Sequence, residues 1–182
     1  MAYIVADNIG VARPSGTHVP VSASYPSLSQ YSTPRSAYTQ KVGVLIGNGF
    51  NGNEVTNVLN VLQQSGVFVV IISETLGSVT ASDGTKLKID ETFITTSPYL
   101  VDALYVVGGN SRNEMKFRSD VTEYVNEAYK HFKPIGVAST GQPFIQPSEN
   151  NNLAGVVFSN NNPNFGEDFV SAIAQQRFWD RK

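Results

Sequence analysis

The sequence predicts an α/β domain: a parallel sheet with helices covering both faces. Three observations predict it. Short apolar runs bounded by glycine recur after Lys41, three longer stretches carry helical periodicity, and runs and stretches alternate along the chain. Parallel strands need long crossovers, and the intervening helices supply them.

Taken in order, the first ten residues, "MAYIVADNIG", read as the tail of a helix stopping at Gly10, as in a fragment cut from a longer protein. Residues 11–40 carry four of the nine prolines and many Ser and Thr. Proline fixes φ and lacks an N–H, so this stretch is neither a long helix nor a central strand. It reads as a linker or extended arm, with Tyr25, Leu28, Tyr31 and Tyr38 able to pin it to a surface. Residues 42–46 are a short buried parallel strand. Residues 54–64 place Val55, Val58, Leu59 and Leu62 on one helical face, and Gly66 is the stop signal. A second buried strand covers 67–72. "GSVTASDGTKLKID" then alternates around Asp83-Gly84, a hairpin signal. A third strand, 103–107, ends at Gly108-Gly109. The long helix predicted over 114–132 turns Val121, Tyr124, Val125, Ala128 and Phe132 inward. Strands follow at 135–138 and 155–158, the latter inside an Asn-rich loop. A closing amphipathic helix over 165–178 presents Phe169, Ile173 and Phe178.

Composition narrows the function classes. The 182 residues suit one domain of ordinary size, and a hydrophobic fraction of 41% supports an ordinary core. A net charge of -2 leaves no broad basic field, which argues against nucleic acid as a partner. No apolar run approaches a membrane span, and residues 1–30 lack the charged-then-apolar order of a secretion signal. Without cysteine there is no disulfide, thiolate catalysis or Cys-ligated metal, and two distant histidines make no metal set, so none is expected. Nothing here assigns a compartment.

Three places merit weighing as sites. "GNGFNG", residues 47–52, is a G-x-G-x-x-G between a strand and a helix, and Glu74 follows at a spacing suited to a ribose. Backbone N–H groups and a helix dipole would face a pyrophosphate there. However, a hairpin follows the second strand where a dinucleotide fold goes on to a helix, which favours a glycine-rich packing turn. Ser139 stands where a strand ends in a sharp turn, as nucleophiles do. A serine needs a base within reach. His18 lies in the arm and His131 at a helix C-terminus, where it complements the dipole. The third place is Gly108-Gly109, whose N–H groups could face a pocket as an oxyanion hole does or simply permit a tight turn. Ligands of open α/β sheets bind at this edge, so a vestigial pocket lined by Asn51, Gly108, Gly109, Asn110, Ser139 and Thr140 is expected.

"KVGVLIGNGFNGNEV", "VDALYVVGGN", "EAYKHFKPIGVAST" and the closing "AIAQQRFWDR" together resemble the C-terminal domain of large-subunit catalases, of fungal type. That domain belongs to the DJ-1/PfpI, class I glutamine amidotransferase-like superfamily. The resemblance covers 41–182 and implies a flavodoxin-like, DJ-1-like domain there. It also implies that 1–40 are the end of a catalase-core helix plus the linker. Haem would sit in the parent core, with no cofactor in this chain. The superfamily's catalytic parts are an elbow cysteine, a neighbour that is often histidine, and a glutamate after the first strand. By motif position these fall on Ser139, Thr140 and Asn51, which all differ, so no catalytic residue is expected. Glu54, one turn on from Asn51, is expected to be a helix-start charge.

The resemblance thus implies a non-catalytic module that stabilises a tetrameric, hydrogen-peroxide-degrading haem catalase. Its partners would be the core and the other subunits. Some superfamily relatives are holdase chaperones, which implies the same action for the isolated domain on unfolding clients. The alternatives are residual hydrolase or glyoxalase activity through Ser139, or a small-ligand module binding nucleotides at the glycine-rich turn.

Overall fold

The computed structural model describes residues 6–7, 9–13, 35–145 and 152–181. The chain divides into two compact units, 1–34 and 35–182. In the first, residues 6–7 are helical and the turn closes through Val11 N–H on Ala6 O at 3.0 Å, with Gly10 at φ 69°. Arg13 grips both carboxylate oxygens of Asp7 at 2.7 Å. Tyr25, Leu28 and Tyr31, expected to pin the arm, lie outside the described residues. Tyr38 belongs to the second unit.

That second unit has eight strands and three α-helices among its described residues. They are β1 (Lys41–Ile46), α1 (Gly52–Gln64), β2 (Phe68–Ser73), β3 (Gly77–Thr80), β4 (Lys86–Ile89), β5 (Glu91–Thr92), β6 (Ala103–Gly108), α2 (Glu114–Lys130), β7 (Ile135–Val137), β8 (Val156–Phe158) and α3 (Phe165–Gln175). Short 3-10 turns cover Pro98–Leu100 and Ser139–Phe144. One parallel sheet runs β5–β2–β1–β6–β7–β8, and β3–β4 form a separate antiparallel hairpin. Setting the two-residue β5 aside, the order β2–β1–β6–β7–β8 is the flavodoxin-like one, with its switch point between β1 and β6.

Strand alternation divides the core in two. On β6, Ala103, Tyr105 and Val107 join Val44, Ile46, Phe50, Leu62, Phe165 and Phe169 under α1 and α3. Leu104 and Val106 join Leu45, Phe117, Val121, Val137 and Phe144 under α2. Helices cover both faces of the central strands, so their side chains are buried on either side and their sequence reads as an unbroken apolar run. Burying a Phe or Leu of this kind is worth roughly 1.5–3 kcal/mol.

Two helices end sooner than their periodicity predicts. The helix of 114–132 stops at Lys130; Phe132 takes φ 59° in the turn, and its ring meets Trp179 at 5.1 Å instead of entering the core. The helix of 165–178 stops at Gln175. Gln176 adopts φ 67° and ψ -48°, and Arg177 N–H donates to Gln175 O at 2.8 Å, a γ-turn that turns the chain out of the helix. Phe178 then donates its N–H to Phe132 O at 2.9 Å, tying the two early exits together.

The predicted hairpin around Asp83-Gly84 docks its tip on the β1–α1 loop. Gly49 N–H donates to Thr80 O at 2.8 Å, Thr80 N–H to Asn48 Oδ1 at 2.9 Å, and Ser82 N–H to Phe50 O at 2.9 Å. This clamp fixes where α1 begins.

Candidate functional site

Asn51 begins the site by starting α1. Its side chain accepts the Glu54 N–H at 3.1 Å, as an N-cap residue does for the third position of its helix. In a capping box a glutamate at that position folds back to the cap. Here its carboxylate reaches across to the end of β7. Glu54 Oε1 accepts Ser139 N–H at 3.0 Å and the Ser159 hydroxyl at 2.6 Å, while Oε2 accepts the Ser139 hydroxyl at 2.6 Å. One carboxylate thus joins α1, the elbow after β7 and the loop after β8. Burial pushes the Glu54 carboxyl up, but the hydrogen bonds from Ser139 and Ser159 outweigh it and hold the group below its ordinary range.

The rest of the elbow is backbone geometry. Thr140 donates its hydroxyl to Val107 O at 2.7 Å. Gly141 lies so close to β6 that a side chain's first carbon there would sit 2.0 Å from Val106 O. His131 caps the C-terminus of α2, before β7, whereas Ser139 follows it; the two lie at opposite ends of the sheet. His131 instead faces Glu127 at 3.5 Å.

The two glycine motifs meet at the switch point. Asn48 and Asn110 exchange backbone hydrogen bonds, 2.7 Å each way, across the ends of β1 and β6. A first side-chain carbon on Gly47 would lie 2.7 Å from Asn110 O, and one on Gly109 2.7 Å from Asn48 O. Glu74, weighed as a ribose ligand, accepts a hydrogen bond from the Ser111 hydroxyl. The glycine-rich turn packs closely against Gly109-Asn110.

A family model described as the C-terminal domain found in long catalases matches residues 38–182. The chain belongs to this family. A catalase of Alkalihalophilus pseudofirmus is 39% identical over 181 residues, covering all of this chain and 26% of that protein. Catalase-2 of Bacillus subtilis is 37% identical over 187 residues, covering all of this chain and 27% of that protein. The chain thus spans about a quarter of the length of these relatives. A two-domain protein of Anabaena variabilis with DJ-1/ThiJ/PfpI-like and ferritin-like domains superposes with a TM-score of 0.49 at 22% identity, over 58% of this chain and 32% of its own. Neither catalase is from a fungus, and the fungal type expected from sequence gains no support from them.

Within this catalase C-terminal domain, the structure adds one contact that the motif reading lacks. Glutamate was expected to be replaced, by Asn51, with Glu54 a helix-start charge. Glu54 does occupy the first turn of α1, but its carboxylate, not the Asn51 side chain, meets Ser139. A carboxylate therefore meets the elbow serine. The missed signal was local: Asn51 as N-cap puts Glu54 at the third helical position, facing the sheet edge. Ser159, in the Asn-rich loop, carried no signal at all.

The residues expected to share one pocket line two. Gly109, Asn110 and Thr140 line a depression of about 520 Å³ with Arg118 and Phe144. Asn51 and Ser139 line another of about 490 Å³ with Glu54, Ser159, Phe165 and Glu167. Gly108 lines neither; it is buried, and its carbonyl accepts Gly47 N–H at 2.7 Å. Among the described residues no group of three or more His, Cys, Asp and Glu is placed to hold a metal, and no helix is long and apolar enough to cross a membrane.

Proposed function

We propose that this domain is a non-catalytic module of a long catalase, docking on the haem-bearing core and the other subunits to stabilise a tetramer. The observation that carries the reading is the bonding of Glu54. A serine becomes a nucleophile when a base takes its proton, and a base works best with a pKa near the working pH. Glu54 is held below the carboxylate range and receives three hydrogen bonds, so it is a poor proton acceptor at neutral pH. No imidazole reaches Ser139 among the described residues. The elbow works as a brace between α1, β7 and β8.

The same reading includes holdase action by the isolated domain on unfolding proteins. What supports it is apolar surface: Phe68, Ile94, Leu100, Met115 and Trp179 each leave more than half of their surface in solvent. The test is light scattering from a heat-labile enzyme warmed with this domain or with albumin. Suppression at near-stoichiometric ratio is expected, and scattering equal to the albumin control removes the holdase part.

The contact between Ser139 and Glu54 favours one second reading, residual hydrolase or glyoxalase activity. Turnover of activated esters or small aldehydes that disappears in Ser139→Ala would replace the non-catalytic reading. Background rates in both proteins are expected.

A further inference from the structure

Exposed apolar side chains gather at one end of the sheet. The strands start level there: Phe68 of β2 lies beside Lys41 of β1, Val42 beside Ala103 of β6, Leu104 beside Ile135 of β7, and Ile135 beside Val156 of β8. Tyr38 stands just before β1, Phe68 opens β2, Tyr99 and Leu100 precede β6, and Leu153 precedes β8; all are exposed. Before β7 the place is taken by Phe132, whose ring meets the exposed Trp179 at 5.1 Å. Neighbouring strands lie about 4.8 Å apart, so these side chains make one band. Ser139 follows β7, so the band is at the end of the sheet opposite the elbow.

The six exposed residues each leave between 41% and 68% of their surface in solvent. With about 150–250 Å² for a large side chain, the band opens roughly 600 Å² to water. The largest apolar patch on a monomer is typically about 300–600 Å², and one side of a standard interface is about 800 Å². The band is also held in place. Tyr99 donates its hydroxyl to Glu127 Oε2 at 2.7 Å and sets its ring edge-on to His131. Buried Lys133 ties down the same turn by donating to Pro98 O at 2.7 Å and Val101 O at 2.6 Å. The Tyr38 ring lies so close over Gly66 that a first side-chain carbon there would sit 2.3 Å from it. Side chains fixed before contact lose little freedom on binding, and Trp and Tyr are prominent among the residues that carry interface energy.

Chain connectivity points to the occupant. This is the C-terminal domain of long catalases, and it spans about a quarter of its relatives' length, so most of such a protein precedes it. The polypeptide enters the domain past Tyr38, and β1 lies between β2 and β6, so it enters inside the band. A partner tethered at that point meets this face at high effective concentration. Among the described residues of this unit, the other large exposed apolar side chains are Leu76, Ile94 and Met115, which follow β2, β5 and β6 and lie away from that end. We propose that the band, at the N-terminal edge of the sheet, is the face by which the domain docks on the preceding catalase core, with Tyr99, Leu100 and Trp179 as anchors. This rests on the docking reading above and adds the face. The edge that carries Glu54 and Ser139 is left outside the contact.

The test is hydroxyl-radical footprinting, read by mass spectrometry, of the 182-residue chain and of the full-length catalase subunit that contains it. The radicals come from radiolysis of water, because a catalase consumes peroxide. Tyr99, Leu100 and Trp179 are expected to oxidise at least about fivefold more slowly in the full-length protein, as the core of an interface is shut off from water. Met115 is expected to oxidise equally in both. Cross-links from Lys41 and Lys130, exposed beside the band, are expected to reach the core. Unprotected anchors with Met115 or Leu76 protected instead overturn the face and leave docking standing. Equal oxidation at every residue removes the docking reading itself. Protected anchors with cross-links only to a second C-terminal domain also overturn the proposal, since the occupant is then another copy of this chain.

Discussion

Replacing Glu54 separates a brace from a bystander, and the structure sets the size of the effect. Glu54→Ala releases three donors: the Ser139 N–H, the Ser139 hydroxyl and the Ser159 hydroxyl. A hydrogen bond to a charged group nets about 1.5–3 kcal/mol when shielded. Here Ser139 is exposed and Glu54 and Ser159 are half-buried, so water re-solvates much of what is released and screening lowers each value. A loss of about 3 kcal/mol results, which for a domain of this size is a Tm fall of about 6–12 °C. Glu54→Gln keeps one oxygen able to accept two bonds, and the Ser139 hydroxyl can reverse to accept from the amide. Its loss is about 1 kcal/mol, or about 2–4 °C. The pH dependence has a definite sign. The folded pKa of Glu54 lies below its unfolded value, so its contribution is present above about pH 4.3 and is lost as pH falls through the folded value. The gap between the parent and Glu54→Gln should therefore close in acid. Thermal unfolding followed by circular dichroism from neutral to acid pH measures both effects. Equal Tm for parent, Gln and Ala at neutral pH, or a gap that persists unchanged into acid, would refute the brace.

Three further outcomes are expected. Gly141→Ala forces a methyl against Val106 O on the central strand and should cost about 1–3 kcal/mol by urea unfolding, since the obstacle is backbone. Gln176→Gly relieves a side chain from positive φ in the γ-turn after α3 and should raise Tm by about 1–3 °C, an increase that scanning calorimetry can resolve. Lys133 is buried and donates to Pro98 O at 2.7 Å and Val101 O at 2.6 Å, so Lys133→Met should cost about 1–3 kcal/mol at pH 7 by denaturant unfolding. Burial first, then Arg177, pushes the Lys133 pKa down against the pull of Asp102. The folded protein sheds this proton before the unfolded chain does, so the parent gains stability as pH rises through that alkaline window and the gap to Lys133→Met widens.

Most of the fold was legible because its signals are short-ranged. Apolar runs such as 103–107 suit strands covered on both faces, and Val55, Val58, Leu59 and Leu62 specify a helix face by spacing alone. Helix ends were less legible: Phe132 and Phe178 are apolar at the right spacing, but the chain leaves the helix before both through residues at positive φ, Phe132 itself and Gln176. The two residues of β5 are too few to show a period. At the site, the elbow could be read from its strand and turn. The partners of Ser139 could not, because they come from α1 and from the loop after β8, and only the tertiary fold brings Glu54 and Ser159 to it.

The backbone exchange between Asn48 and Asn110 has an evolutionary reading. It makes "GNG" after β1 and "GGN" after β6 a single constraint written twice. A side chain at Gly47 collides with Asn110, and one at Gly109 with Asn48, so damage at either position has already spoiled the same seam. Substitutions at the two glycines should be sub-additive in a double-mutant cycle. Drift at one would then relax selection on the other, and the two motifs should be kept or lost together across the family.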